Sequence, residues 1–88
     1  MNKIILNRGK DKAAWQLHPW VFSGAISSVM GKPQNGDIVS VYNIEDEFIA
    51  YGMYNGNSRV AVRLLEWDPR NEINDQWWRN RVAKAVQN

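Results

Sequence analysis

Cationic and aromatic side chains are concentrated near the start of this chain. Arg8, Lys10 and Lys12 surround an expected turn and helix start, where free backbone N–H groups also attract anions. Trp20 and Phe22 are two residues apart, so both rings share one face of an extended segment. If this face is exposed, its rings can stack on planar ligands, and each stacked base contributes about 1–3 kcal/mol of binding free energy. If the face is buried, each ring contributes about 1.5–3 kcal/mol to the stability of the core. We expect one ring to be buried and the other to be partly exposed.

Three small or polar residues beside these rings offer further contacts. His18 can stack, donate or accept a hydrogen bond, although a single histidine without a partner is more often a structural anchor. Ser23 and Gly24 lack bulk, so a polymer backbone can approach them closely. A simple bend of the chain explains these two residues equally well.

A second polar group follows in the later half of the sequence. Asn55 and Ser58 lie in an expected turn beside Arg59, where they can contact a base edge or a phosphate group. Asn in a turn more often serves its own backbone. Arg63 is expected on the outer face of a strand, where it can contact an anion or pair with an acidic neighbour.

Composition excludes several classes of function. A chain of 88 residues supports one small domain, and it has no Cys and one His. These counts exclude thiolate metal sites, Cys nucleophiles and multi-His sites. We find no paired nucleophile and base, no signal peptide and no apolar run long enough to cross a membrane. A reduced, cytoplasmic setting is therefore expected.

Charge is distributed in blocks along the chain. Residues 1–36 contain five Lys or Arg and one Asp, whereas residues 37–54 contain four acidic residues and no basic one. Such blocks favour a polarised surface whose basic part meets an anionic partner, with the acidic residues 45–47 facing away. A mixed, solubilising surface is the simpler explanation of the charges taken alone.

Periodicity predicts a small β-rich domain. Val60, Val62 and Leu64 alternate with Arg63 and should point into the core. Strands are predicted at residues 4–6, 26–29, 38–42, 48–54 and 60–67, with a short helix at 10–17 and a final helix, capped by Asn74 or Asp75, to about residue 86. Trp78, Val82, Ala85 and Val86 form the apolar stripe of that helix, and we interpret Trp15, Trp67, Trp77 and Trp78 as packing residues. Since no Gly or Pro stops the helix, we expect the natural protein to continue.

Three blocks of the sequence carry a family resemblance. The run Gly9–Ile26 contains His18-Pro19-Trp20-Val21-Phe22-Ser23-Gly24, and the strand blocks Gly36–Val41 and Gly52–Leu65 follow it. Together they resemble the N-terminal PUA-type domain of S-adenosylmethionine-dependent 23S ribosomal RNA cytosine-5 methyltransferases. Gln16-Leu17 stands where that family commonly has an Arg pair, and Gly56 where it usually has Pro.

The resemblance implies a fold and a role. The fold class is mainly β with short helices, a PUA-like pseudo-barrel with a C-terminal helix leading toward a missing domain. Residues 1–71 would form an RNA-binding domain, and residues 72–88 a helix or linker to a downstream domain that binds S-adenosylmethionine and supplies the catalytic Cys. This chain would carry no cofactor, metal or catalytic residue, and would position ribosomal RNA for the parent methyltransferase.

The partners implied are RNA and the downstream domains of the same polypeptide, with no membrane and with a homodimer through the C-terminal helix as a further option. The RNA-binding residues implied are Arg8, Lys10, Lys12, His18, Trp20, Phe22, Ser23, Gly24, Asn55, Ser58, Arg59 and Arg63. The alternative is a structural barrel that packs on the rest of its parent enzyme without binding RNA.

Overall fold

The sequence folds into six short strands and two helices. The computed structural model describes residues 2–87, with side-chain surroundings given to residue 82. The elements are β1 (Lys3–Leu6), α1 (Lys12–Trp15), β2 (Trp20–Phe22), β3 (Ile26–Met30), β4 (Ile38–Tyr42), β5 (Phe48–Tyr54), β6 (Val60–Glu66) and α2 (Asp75–Gln87), with a 3₁₀ turn at Ser23–Ala25. The predicted strands are confirmed, and the structure adds β2 as a strand.

The six strands form one curled sheet. Their order is β2-β6-β5-β4-β1-β3, and every neighbouring pair is antiparallel except β1 and β4. The sheet curls into a half-barrel, which confirms the prediction of a mainly β fold with short helices. Strands β2 and β3 lie at its two edges, so each has a neighbour on one side only.

Alternation along the strands builds the core as the sequence predicts. Val62 and Leu64 are buried, Val60 is half-buried and Arg63 is exposed on the opposite face. The largest fully buried side chains are Ile4, Leu6, Ile49, Leu64, Val39, Val41 and Val62.

Helix α1 is shorter than the predicted helix at residues 10–17. It has four residues, and its last turn ends where Leu17 adopts a left-handed conformation, with φ of 67°. The backbone N–H of Leu17 donates to Ala14 O, and that of His18 donates to Ala13 O. These two hydrogen bonds, with a left-handed residue between them, are typical of a helix C-terminus, so α1 ends at Trp15, four residues before Pro19.

Helix α2 begins as the sequence predicts. The side chain of Asn74 accepts the backbone N–H of Trp77, which caps the first turn. The predicted apolar stripe does not face the barrel, because Trp78 is 38% and Val82 60% exposed. The side chains of Ala85 and Val86 lie outside the described part. Within the described residues, no helix is both long and apolar enough to span a bilayer.

Candidate nucleic-acid interface

A cleft lies at the sheet edge formed by β2. Its volume is about 460 Å³, and α1 and the preceding turn form one wall while β2 and the 3₁₀ turn form the other. The predicted site residues that line it are Lys10, His18, Trp20, Phe22 and Gly24. The remaining walls are apolar and come from Ala13, Ala14, Val21 and Ala25, which the sequence did not single out.

The aromatic rings of this cleft are open to solvent. Trp20 is 48% and Phe22 50% exposed, so the expectation that one of the two rings is buried was wrong. The reason is the position of β2 at the sheet edge. Val21 alone points into the core, and both flanking rings turn outward where no further strand covers them.

His18 extends the row of rings. The centroids of His18 and Trp20 are 6.1 Å apart and those of Trp20 and Phe22 are 6.5 Å apart, with interplanar angles of 84° and 88°. The imidazole Nδ1 of His18 accepts the backbone N–H of Trp20 at 3.3 Å, which agrees with the anchoring interpretation of this histidine. Because Nδ1 accepts, the proton of the neutral ring lies on Nε2, which then offers a donor.

Two cations flank these rings on separate elements. Lys10 lies in the cleft wall, and Arg63 of β6 is the direct cross-strand neighbour of Trp20, with its side chain exposed. Arg59 is tied to the same edge through its backbone, since its carbonyl oxygen accepts the N–H of Ser23 at 2.8 Å. The fold therefore brings cations from the first turn and from β6 to both sides of β2.

Arg8 and Lys12 are exposed but do not line the cleft. Gly24 has open space around it, since an added Cβ would meet no atom within 4 Å. The fold therefore places no steric demand on Gly24, and its neighbourhood stays accessible.

Asn55 and Ser58 are engaged by their own turn. The Oδ1 atom of Asn55 accepts the backbone N–H of Asn57, and Oγ of Ser58 accepts that of Val60. These bonds favour the turn-forming interpretation of both residues.

Tryptophans predicted as packing residues differ in what they do. Trp15 is 46% exposed, so it is not a buried packing residue; its indole N–H donates to the carboxylate of Asp11 at 2.8 Å. Trp67 is half-buried against the core, and its indole N–H donates to Ala14 O at 2.8 Å. The sequence carries no local signal for this last contact, which joins residues 53 positions apart.

A second, polar pocket lies where β6 meets α2. Its volume is about 660 Å³, and Glu66, Trp77 and Arg81 are among its walls. Burial of the Glu66 carboxyl opposes ionisation, but hydrogen bonds led by the one from Trp77 Nε1 outweigh it and hold the pKa of Glu66 below its usual value. Across residues 2–87, no cluster of three or more His, Cys, Asp or Glu has the arrangement that a metal ion requires.

Comparison with known proteins identifies the fold. A solved structure of a conserved PUA domain protein from Thermoplasma acidophilum superposes with a TM-score of 0.65 at 22% identity, covering 80% of this chain and 50% of that one. Two curated relatives named ribosomal RNA large subunit methyltransferase I are also similar. The one from Pseudoalteromonas atlantica is 31% identical over 86 residues, and the one from Serratia proteamaculans is 31% identical over 83 residues.

The alignments cover most of this chain but little of the relatives. They include 98% and 94% of this chain and only 22% and 21% of the two methyltransferases, so the chain spans about a fifth of their length. The family model for the PUA-like domain matches residues 4–67, from the first strand to Trp67 just after β6. By that match over most of its length, the chain belongs to the PUA-like domain family.

Proposed function

We propose that this domain binds RNA through the cleft between α1 and β2. The observation that carries the proposal is the row of exposed rings, His18, Trp20 and Phe22, with Lys10 and Arg63 on either side. RNA recognition needs cations for the phosphates and flat rings for unstacked bases, and this edge supplies both. Arg8 and Lys12 add exposed cations close to Lys10 in the sequence, and Arg59 adds one just before β6.

The relatives suggest which RNA is bound. Those named above are ribosomal RNA large subunit methyltransferases, and this chain aligns with about a fifth of their length. In a protein of that length, the domain would hold ribosomal RNA for a cytoplasmic, S-adenosylmethionine-dependent methyltransferase domain. Cofactor binding and methyl transfer would belong to that other domain, since this chain contains no Cys and a single His.

The test is an RNA titration of the 88-residue chain at several salt concentrations. Labelled fragments of large-subunit ribosomal RNA should bind, and the log of the binding constant should fall against log salt with a slope of about −3 to −4 for four phosphate contacts. The double variant Lys10→Glu/Arg63→Glu should weaken binding at least about tenfold. The control Lys32→Glu/Arg79→Glu makes the same change in net charge at exposed residues outside the cleft. Equal losses in both double variants would reject this cleft as the RNA site.

A second candidate function is a docking role without RNA. Its supporting observation is the exposure of Trp78 and Val82 on α2, an apolar surface that the described residues leave open to solvent. That surface would pack against the rest of the parent enzyme or against a second copy. A chain that forms dimers in light scattering and binds no RNA would favour this candidate over the first.

A further inference from the structure

The four-residue helix α1 cannot hold its own position. A single turn fixes several backbone dihedrals for very few hydrogen bonds, so it is not stable without tertiary contacts. Its N-cap residue, Asp11, makes no side-chain capping bond, and its C-terminal turn contains the left-handed Leu17. The contacts that hold α1 must therefore come from elsewhere in the fold.

One such contact comes from the residue after β6. The indole N–H of Trp67 donates to the carbonyl oxygen of Ala14 at 2.8 Å, and Ala14 itself is 4% exposed. The same oxygen accepts the N–H of Leu17 at 3.1 Å. It therefore keeps a partner if the indole bond is removed, and the indole bond acts as an added restraint on the helix.

A second hydrogen bond to this segment comes from the turn between β4 and β5. The carboxylate of Asp11 accepts the amide N–H of Asn43 at 3.3 Å as well as the indole N–H of Trp15 at 2.8 Å. Asn43 is 5% exposed, and its Oδ1 accepts the backbone N–H groups of Glu45 and Glu47. A buried side chain fixed in this way gives Asp11 a rigid anchor.

Both hydrogen bonds restrain the segment that carries Lys10, the cation in the wall of the cleft. Lys10 and Lys12 are the immediate neighbours of Asp11, and Lys10, Ala13 and Ala14 line the cleft opposite β2. If α1 moves, Lys10 moves relative to Trp20 and Phe22, and the spacing between phosphate and base contacts is lost.

We infer that Trp67 and Asn43 are positioning residues, which hold α1 so that Lys10 faces the rings of β2 when RNA binds. This inference rests on the proposed RNA-binding function. Neither residue lines the cleft, so each acts through α1 and not by touching RNA.

The main experiment compares Trp67→Phe with Tyr51→Phe in the full 88-residue chain. Each change removes one hydrogen bond of 2.8 Å to a backbone carbonyl and leaves one aromatic ring in place, but the bond of Tyr51 goes to Pro69 O and not to α1. Trp67→Phe should weaken the binding of large-subunit ribosomal RNA fragments about fivefold, because α1 is in place for a smaller fraction of the time. Its salt slope should become shallower by up to about one unit, as one phosphate contact is lost, whereas Tyr51→Phe should change neither quantity.

Hydrogen exchange gives a readout that does not need RNA. The amide protons of Leu17 and His18, which close the last turn of α1, should exchange faster in Trp67→Phe and at the wild-type rate in Tyr51→Phe. Unchanged exchange in Trp67→Phe would overturn the claim that Trp67 holds the helix.

The hydrogen bond from Asn43 to Asp11 is tested by changing Asp11, because a substitution at Asn43 would also remove the hydrogen bonds that form its own turn. Asp11→Ala removes a negative charge beside two lysines, so electrostatics alone predicts tighter RNA binding. If Asp11 helps to position α1, Asp11→Ala should instead bind RNA more weakly than the wild-type chain. Tighter or equal RNA binding would overturn the positioning role of the Asn43–Asp11 contact.

RNA binding by the domain and the positioning role of Trp67 can be contradicted separately. If wild-type chain binds RNA and Trp67→Phe loses no more affinity than Tyr51→Phe, the positioning inference is wrong and the proposed function stands. If the wild-type chain binds no RNA, the proposed function is wrong, and the inference falls with it.

Discussion

Two groups of aromatic rings in this domain share a packing geometry and differ in exposure. In the first group, His18 and the β2 residues Trp20 and Phe22 meet edge to face at one edge of the sheet. Their rings make few contacts with the core, and about half of the surface of Trp20 and of Phe22 remains open to solvent.

The second group lies on β4 and β5. The centroids of Tyr42 and Phe48 are 5.6 Å apart, and those of Phe48 and Tyr51 are 4.9 Å apart, again edge to face. Tyr51 is only 8% exposed, and its hydroxyl donates to Pro69 O in the loop that follows β6. Tyr42 and Phe48 are half-buried, so all three rings of this group are more covered than Trp20 and Phe22.

The difference shows that ring type and spacing do not decide between a binding surface and a packing cluster. Strands β4 and β5 have neighbours on both sides, whereas β2 has only β6. The edge position leaves Trp20 and Phe22 uncovered, and cations from two elements then gather around them. Exposure here follows from the order of the strands and not from the residues themselves.

The largest expected effect is the loss of a ring from the covered group. Phe48→Ala should lower the free energy of unfolding by about 2–3 kcal/mol, since Phe48 contacts both tyrosines. RNA affinity of the folded variant should not change. Thermal or denaturant unfolding measures the first quantity, and an RNA titration well below the midpoint measures the second.

Trp20→Ala is the matched change in the exposed group and should show the reverse pattern. RNA affinity should fall by about 1–3 kcal/mol, or about 5- to 150-fold, because a base loses its stacking surface. The free energy of unfolding should fall by less than about 1 kcal/mol, since half of the ring is already exposed. If Trp20→Ala destabilised the fold as much as Phe48→Ala, the contrast between the groups would be lost.

A smaller effect concerns backbone strain at the exposed edge. Leu17 has φ of 67° and is 62% exposed, so a branched side chain occupies a conformation that favours glycine and contributes little burial. Leu17→Gly should therefore raise the free energy of unfolding by about 0.5–1 kcal/mol after the added flexibility of the unfolded chain is counted.

Asp46 provides the control for this change. It lies in the β4–β5 turn with φ of 65°, but Asp tolerates this conformation better than Leu, and its carboxylate pairs with Lys3. Asp46→Gly should give no gain in stability. A loss of stability in Leu17→Gly would mean that the leucine side chain supports α1 in a way that its exposure does not indicate.

Most of the fold is predictable from local pattern. The alternation of Val62, Arg63 and Leu64 places the core face of β6, and Asn74 caps α2 as expected. Both signals are local, since they depend on period and on the hydrogen bonds of neighbouring residues.

The arrangement of the candidate site is less predictable, because it depends on contacts between distant residues. The shared exposure of Trp20 and Phe22 follows from strand order, which no periodicity reports. The bond from Trp67 to Ala14 and the bond from Asn43 to Asp11 join segments far apart in the sequence. The early end of α1 depends partly on local backbone conformation, because Leu17 is left-handed. The sequence does not indicate this end, since glycine is the usual residue at a left-handed helix terminus.

The smallest predicted effect is a difference in how Glu66, beside the rings of β4 and β5, and Asp11, at the start of α1, make fold stability depend on acid pH. Glu66 is the cross-strand partner of Tyr51 in the covered region, and despite burial its hydrogen bonds, chiefly from Trp77, keep its pKa below the usual 4.5. Asp11 in the exposed region also has a lowered pKa, mainly through its bond from Trp15 and less through that from Asn43. A carboxyl group whose pKa is lowered by folding stabilises the fold at pH values above its ordinary pKa. This contribution is lost as the pH falls through the lowered pKa.

Glu66→Gln should therefore flatten the acid side of the stability curve. Between about pH 5 and pH 3, the Tm of the wild-type chain should fall more than that of the variant, by about 1–3 °C. Asp11→Asn should flatten the curve less, because its carboxylate lies nearer the solvent and its bonds are more screened. Of these two carboxylates, only Asp11 takes part in the contacts that position α1, so RNA affinity should respond to acid through Asp11 and not through Glu66. If Glu66→Gln instead changed the pH dependence of RNA affinity, the RNA-binding edge at β2 would be coupled to the aromatic group on β4 and β5.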